Sequence, residues 1–173
     1  DLGPSPIFEG RLGFFKQVSG EANVNIAAFG GHGKPFRINN CGIKPYPAVI
    51  YSQTVILAAL AVAKDVTQGA TDKDGALHRI AAIEIATTRR GYQQAGSEPE
   101  KWTPKTRDTA DHSLPYIAAR AMFDGDITNA SYTPEKLSDP RILAFMSKIK
   151  VAEDPALTAR TGASVPARIT ATM

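Results

Sequence analysis

The nine residues from Val55 to Ala63 are apolar without a break, and this run constrains the fold more than any other stretch. It is well short of the roughly 20 residues a membrane helix needs. It predicts instead a helix buried on all sides. The lead-in Cys41-Gly42-Ile43-Lys44-Pro45-Tyr46-Pro47 is irregular. A residue before proline is pushed out of the helical region, so Lys44 and Tyr46 are expected to be extended. Pro47 then fits the first helical position, where its missing N–H costs nothing. Such a helix start offers free N–H groups and the positive end of the macrodipole. With the Lys44 ammonium and the Tyr46 phenol just upstream, it suits a bound carboxylate or phosphate.

A chain of 173 residues fits one domain, or one domain with an appendage. Its single cysteine, Cys41, excludes an internal disulfide and points to a reducing compartment, so a cytoplasmic location is expected. The histidines at 32, 78 and 112 have no metal-ligand spacing, so no metal site is expected. The net charge is +3, but the 20 basic residues are scattered. A basic stripe interleaved with aromatics is missing, which argues against nucleic-acid binding. The mild positive surplus favours small anionic substrates. No signal or lipidation motif is visible, no membrane association is expected, and the start at Asp1 suggests a processed or excerpted piece.

Along the chain, Ile7, Phe8, Leu12, Phe14, Phe15 and Val18 would give a short apolar helical face, weakened by Gly10 and Gly13. Such a lead helix is expected to pack on material outside this chain. Residues 28–40 read as a loop: Gly33-Lys34 resembles part of a phosphate loop, but Ala28 and Pro35 break that motif. Val66 to Ala76 reads as a connection. Ile83, Ile85 and Thr87 alternate with Glu84 and Ala86, which predicts a strand within Leu77 to Thr88. A short helix over Arg89 to Gly96 and a loop from Ser97 to Thr106 follow.

Leu114, Ile117, Ala118, Ala121 and Met122 have the spacing of an amphipathic helix. Asp111 or Ser113 is its cap, Pro115 lies in its first turn and Gly125 ends it. Ser138-Asp139-Pro140 opens a second such helix, with Ile142, Leu143, Phe145, Met146 and Ile149 on its buried face. Lys150 to Asp154 and Ala167 to Met173 read as strands. The order predicts an α+β fold: a two-layer domain with helices packed on one face of a small antiparallel or mixed sheet. A lead helix and linker would occupy residues 1–40, and the α+β domain residues 41–173.

Five segments then carry a family resemblance. They are Ile7-Phe8-Glu9-Gly10-Arg11 with Gly13-Phe14-Phe15, Lys44-Pro45-Tyr46-Pro47-Ala48 with Ser52-Gln53-Thr54, Asp111-His112-Ser113-Leu114-Pro115-Tyr116-Ile117-Ala118, Asp124-Gly125-Asp126-Ile127, and Val151 with Glu153-Asp154-Pro155. In this order they resemble the MmgE/PrpD family, which includes 2-methylcitrate dehydratase, cis-aconitate decarboxylase and an iminodisuccinate epimerase. The resemblance implies the smaller α+β domain of a longer protein whose large N-terminal helical domain is missing here. It implies a homodimer and cofactor-free chemistry at a C–H bond beside a carboxylate, on a small di- or tricarboxylate. A base takes the proton while cationic and hydrogen-bonding groups hold the developing enediolate.

The active-site lysine of the decarboxylase members corresponds to Lys44. Several members carry a histidine shortly after that lysine, where this chain has Val49, Tyr51 and Gln53. The candidate catalytic residues are therefore Lys44, Tyr51 and His112, and the candidate substrate contacts are Tyr46, Ser52, Gln53 and Tyr116. Each has a structural reading beside the functional one. Lys44 could be a solvated loop residue and Tyr46 a packing residue. Tyr51, Ser52 and Gln53 could be internally hydrogen-bonded. His112 could be a neutral loop-binding imidazole, and Tyr116 a buried hydroxyl with a partner. An alternative function is a non-catalytic scaffold or partner domain that keeps the fold.

Overall fold

The structure, a computed structural model, describes residues 6–8, 10–20, 25–162 and 164–173. The chain divides into two units, Asp1–Ile43 and Lys44–Met173. In the first, the expected lead helix does not form over its described residues; 1–5 and Glu9 lie outside them. A single π-type turn, Phe15–Ser19, follows a tight turn closed by the Gly13 N–H on the Gly10 carbonyl, 2.8 Å. A Cβ at Gly13 would lie 2.6 Å from the Phe8 carbonyl oxygen, so the chain doubles back where only glycine fits. Phe8, Phe14 and Phe15 cluster with ring centroids 5.8–6.4 Å apart. Residues 28–40 contain no strand or α-helix, only the 3₁₀ turn Arg37–Asn40, the end of another, and a bridge between Gly31 and Lys34.

The second unit runs α1 (Ser52–Val66), α2 (Lys73–His78), β1 (Ala82–Thr87), α3 (Arg89–Ala95), α4 (Arg107–Asp111), α5 (Leu114–Asp124), α6 (Pro134–Leu137), α7 (Pro140–Met146), β2 (Ile149–Glu153), α8 (Pro155–Thr158) and β3 (Arg168–Thr172). Seven of these eight helices start on a Ser, Thr or Asp side chain that accepts from a first-turn N–H: Asp72, Thr88, Thr106, Ser113, Thr133, Asp139 and Asp154. Only α1 lacks such a cap. Gly125 ends α5 in the left-handed conformation, φ 73°, as its position predicts.

The sheet has the order β2-β1-β3, with β1 parallel to β2 and antiparallel to β3. Register puts Ile83 beside Ile149 and Ala171, and Ile85 beside Val151 and Ile169. These side chains form one face, against which α1 and α5 pack. Glu84, paired with Lys150 and Thr170, is on the exposed opposite face. This is the predicted two-layer α+β arrangement with a mixed sheet.

Several expectations need correction: residues 73–78, read as the end of a connection and the start of a strand, form α2, and Ile149, read on the face of the second helix, opens β2. The long helix begins at Ser52 rather than Pro47, because the N–H groups of Ser52 and Gln53 first close turns on Val49 and Ile50. It is not buried all round either: Val55, Ile56 and Ala59 are fully buried, but Leu57 is 57% exposed. On α7, Leu143 is 37% exposed while Ile142, Phe145 and Met146 are buried.

A charged cluster sits under the helical layer. The fully buried Arg120 donates to the Tyr116 hydroxyl (3.3 Å), Asp124 (3.2 Å), Asp139 (3.2 Å) and the Lys136 carbonyl (2.7 Å). Arg141 covers Asp139 from outside at 3.0 Å. The Arg141 hydrogen bond, helped by the charge of Arg120, holds the Asp139 carboxyl down at about 2. A depressed carboxyl stabilises the fold above its unfolded value and loses that contribution as pH falls through its folded value. Between about pH 4 and pH 2 the domain is therefore expected to lose up to about 2 kcal/mol from this group, less where the exposed Arg141 is screened. Thermal unfolding across that range checks it, and Asp139→Asn should flatten the dependence.

Candidate active site

Two segments far apart in sequence meet at the entrance to α1. The Val49 N–H donates to the Asp111 carbonyl at 2.9 Å, fastening the end of the Lys44–Ala48 lead-in to the turn before α5. Gln53 holds the lead-in from the other side. Its Oε1 accepts from the Tyr46 N–H, and its Nε2 donates to the Tyr46 and Ala48 carbonyls, each at 3.1 Å. Gln53 thus reaches backwards from the first turn of α1 to hold the lead-in backbone, while α1 itself starts without a side-chain cap.

The Asp111–His112 turn exists because Thr106 starts the short helix α4 and Ser113 starts α5 immediately after it. Ser113 Oγ also donates to the Lys101 carbonyl, which ties the turn to the preceding loop. His112 Nδ1 lies 2.5 Å from an Asp111 carboxylate oxygen and 3.2 Å from the Asp108 carbonyl. Both partners are acceptors, so the proton sits on Nδ1 and the imidazole is oriented by a carboxylate. Its Nε2 is then left for another group, and 43% of the side chain is exposed.

Tyr132 lies on the same side, in the 3₁₀ turn Asn129–Tyr132. Its hydroxyl is buried and has no hydrogen-bond partner among the described residues. Burial, and next the Asp111 carboxylate, push this phenol far above its ordinary value, so it stays protonated. The Arg107 guanidinium stands 5.8 Å from the ring centroid and donates to Asn129 Oδ1 at 2.8 Å. Tyr132 was not anticipated from the sequence; a hydroxyl orphaned by tertiary packing leaves no periodic signal.

The sequence candidates separate into two groups. Tyr46 and Tyr51 are half-buried against the core, His112 is part-exposed and Lys44 is exposed. These four belong to the joined segments. Ser52 and Tyr116 are fully buried and Gln53 is 9% exposed, so these expected substrate contacts present no open surface. Tyr116 donates to the Ser131 carbonyl at 2.7 Å, the structural alternative, and burial raises its hydroxyl despite the neighbouring Arg120. Gln53 is occupied by backbone, and Ser52 Oγ has no partner among the described residues.

The expected anion cradle at a helix beginning at Pro47 is therefore absent, and Lys44 stands on the open edge of its unit. Three clefts mark the same unit: about 410 Å³ around Trp102 and Leu143, about 550 Å³ along β2, and about 500 Å³ between α1 and α2. None is lined by Lys44, Tyr51 or His112. Asp108, Asp111 and His112 each bring one possible ligand atom within 4.8 Å of the others, although His112 Nδ1 is already engaged by the Asp111 carboxylate. No helix among the described residues is long and apolar enough to cross a membrane.

Comparison with known proteins finds relatives that match part of this chain. A 2-methylcitrate dehydratase of Cupriavidus necator is 33% identical over 114 residues, covering 65% of this chain and 22% of the relative. One from Salmonella typhimurium is 31% identical over 115 residues, 66% of this chain and 22% of the relative. A mitochondrial 2-methylcitrate dehydratase of Yarrowia lipolytica is 29% identical over 110 residues, 63% of this chain and 20% of the relative. The matched part thus spans about a fifth of the length of these curated relatives. The profile of the MmgE/PrpD C-terminal domain covers residues 46–173, from Tyr46 of the lead-in to the end of the chain. With that match covering well over half of the chain, including the Asp111–His112 turn and the whole sheet, the chain belongs to the MmgE/PrpD family.

Proposed function

We propose that this chain is the α+β part of a lyase acting on a small di- or tricarboxylate, with 2-methylcitrate the first candidate. The observation that carries the reading is the Val49–Asp111 hydrogen bond, which joins the lead-in that Lys44 opens, two residues before the family match begins at Tyr46, to the oriented Asp111–His112 pair inside that match. In a dehydration, the C–H bond beside a carboxylate breaks, its proton goes to a base, and the hydroxyl on the neighbouring carbon leaves with a proton as water. Lys44 holds the carboxylate and its developing charge. His112 Nε2 and the Tyr51 hydroxyl are the proton-transfer groups, and Tyr46 flanks the substrate. Side chains supply this chemistry, so no cofactor is invoked. The remaining wall comes from the N-terminal helical domain of a longer, cytoplasmic homodimer, consistent with the small fraction of the relatives matched here.

A scaffold reading has one observation in its favour. Of the positions where the resemblance places a histidine, Val49 is buried and Gln53 is engaged with backbone; only Tyr51 remains for proton transfer. Turnover separates the two. The intact protein is expected to consume 2-methylcitrate, citrate, cis-aconitate or iminodisuccinate, followed by the rise or loss of unsaturated-acid absorbance. Failure with all four sinks the lyase reading.

A further inference from the structure

We infer that Gln53 is a positioning residue, clamping the lead-in so that the Lys44 ammonium keeps a fixed place relative to the Asp111–His112 turn. This rests on the proposed role of Lys44. Between Lys44 and Val49 nearly every backbone freedom is removed. Pro45 and Pro47 fix their own φ angles, and each restricts the residue before it. Gln53 grips both the N–H and the carbonyl of Tyr46 and also the Ala48 carbonyl. Val49 is then anchored on Asp111.

Only a primary amide of this length meets those partners, since they demand one acceptor and two donors from one planar group. A carboxylate would face two carbonyl oxygens without a proton. An apolar side chain would leave the Tyr46 N–H unpaired in a part-buried place. A lysine on a free loop must be ordered each time substrate binds; one on a clamped loop is ordered beforehand.

The test is a double-mutant cycle in the intact protein, with kcat/KM for 2-methylcitrate and amide hydrogen exchange at Tyr46 as readouts. Gln53→Met is expected to lower kcat/KM about tenfold, the size of one or two lost hydrogen bonds. In a Lys44→Ala background the same change should cost less than about twofold, because residues acting through one another are not additive. Exchange of the Tyr46 amide should quicken by about tenfold. Should Gln53→Met not fold, Gln53→Glu carries the same cycle at nearly unchanged volume.

Equal losses in both backgrounds would mean a merely structural side chain and overturn the inference. So would an unchanged Tyr46 exchange rate. If Lys44→Ala alone leaves turnover intact, the positioning role falls with the site assignment, while faster Tyr46 exchange in the Gln53 variant would still identify the clamp itself.

Discussion

Arg120→Ala is expected to cost about 3–5 kcal/mol of folding stability, the loss typical of breaking a buried ion pair from one side. Against a total of about 5–15 kcal/mol for a small domain, this approaches unfolding. The guanidinium is fully buried and holds four partners on three elements: Tyr116 and Asp124 on α5, the Lys136 carbonyl on α6, and Asp139 at the start of α7. Removing it leaves Asp139 part-buried with only Arg141 opposite, leaves the Tyr116 oxygen without its donor, and leaves the Lys136 carbonyl with only longer backbone donors such as the Asp139 N–H at 3.4 Å. Arg120→Lys should recover only part of the loss, because one ammonium cannot reproduce a planar fork. Urea unfolding followed by circular dichroism measures both variants. A cost below about 1 kcal/mol for Arg120→Ala, the range of a surface pair, would show that the cluster is not the anchor of the helical layer.

The elements that sequence reading located were those with a local signal. Alternating Ile83, Ile85 and Thr87 located β1, and the i, i+3, i+4 set from Leu114 to Met122 located α5, whose Ser113 cap and Gly125 stop are where turn chemistry puts them. Short helices α4, α6 and α8 also begin on Thr106, Thr133 and Asp154, which are cap signals of the same kind. They run only four or five residues, too short for periodicity to mark. Nothing local says that Asp139, nineteen positions away, folds back onto Arg120.

The start of α1 misled for a physical reason. Pro47 satisfies the rule for a first helical residue, yet proline at such a position is permitted rather than required. The chain instead makes a bend over residues 45–48 and a turn at 50–51 before the helix begins, because Gln53 and Asp111 supply competing partners for that backbone. The continuous apolar run misled similarly. Hydrophobicity tells that Leu57 can be buried, but which side of the helix the sheet covers is decided by the packing of α1 on α5 and β3. At the site, residue types were readable and their grouping was not: Val49 and Asp111 adjoin only after β1, α3 and α4 have brought the chain back.

Lys44→Ala in the intact protein is expected to lower kcat/KM for 2-methylcitrate by about 10²–10³, the loss seen when one preorganised donor is removed from a site of developing negative charge. The size of the effect depends on how wet the site is. An ammonium and a carboxylate 4 Å apart attract by about 1 kcal/mol in bulk water and about 4 kcal/mol in a partly excluded environment. These correspond to roughly fivefold and roughly a thousandfold in rate. Lys44 is exposed on its own unit, so the larger figure requires a covering wall from elsewhere in the longer protein. A loss near a hundredfold that barely changes between 0.05 and about 0.5 M salt would therefore report both the clamp and its cover, since exposed charges are screened over about 10 Å at 0.1 M. A fivefold loss that disappears in salt would place the amine in open solvent during turnover. Unchanged kcat/KM would remove Lys44 from the mechanism altogether.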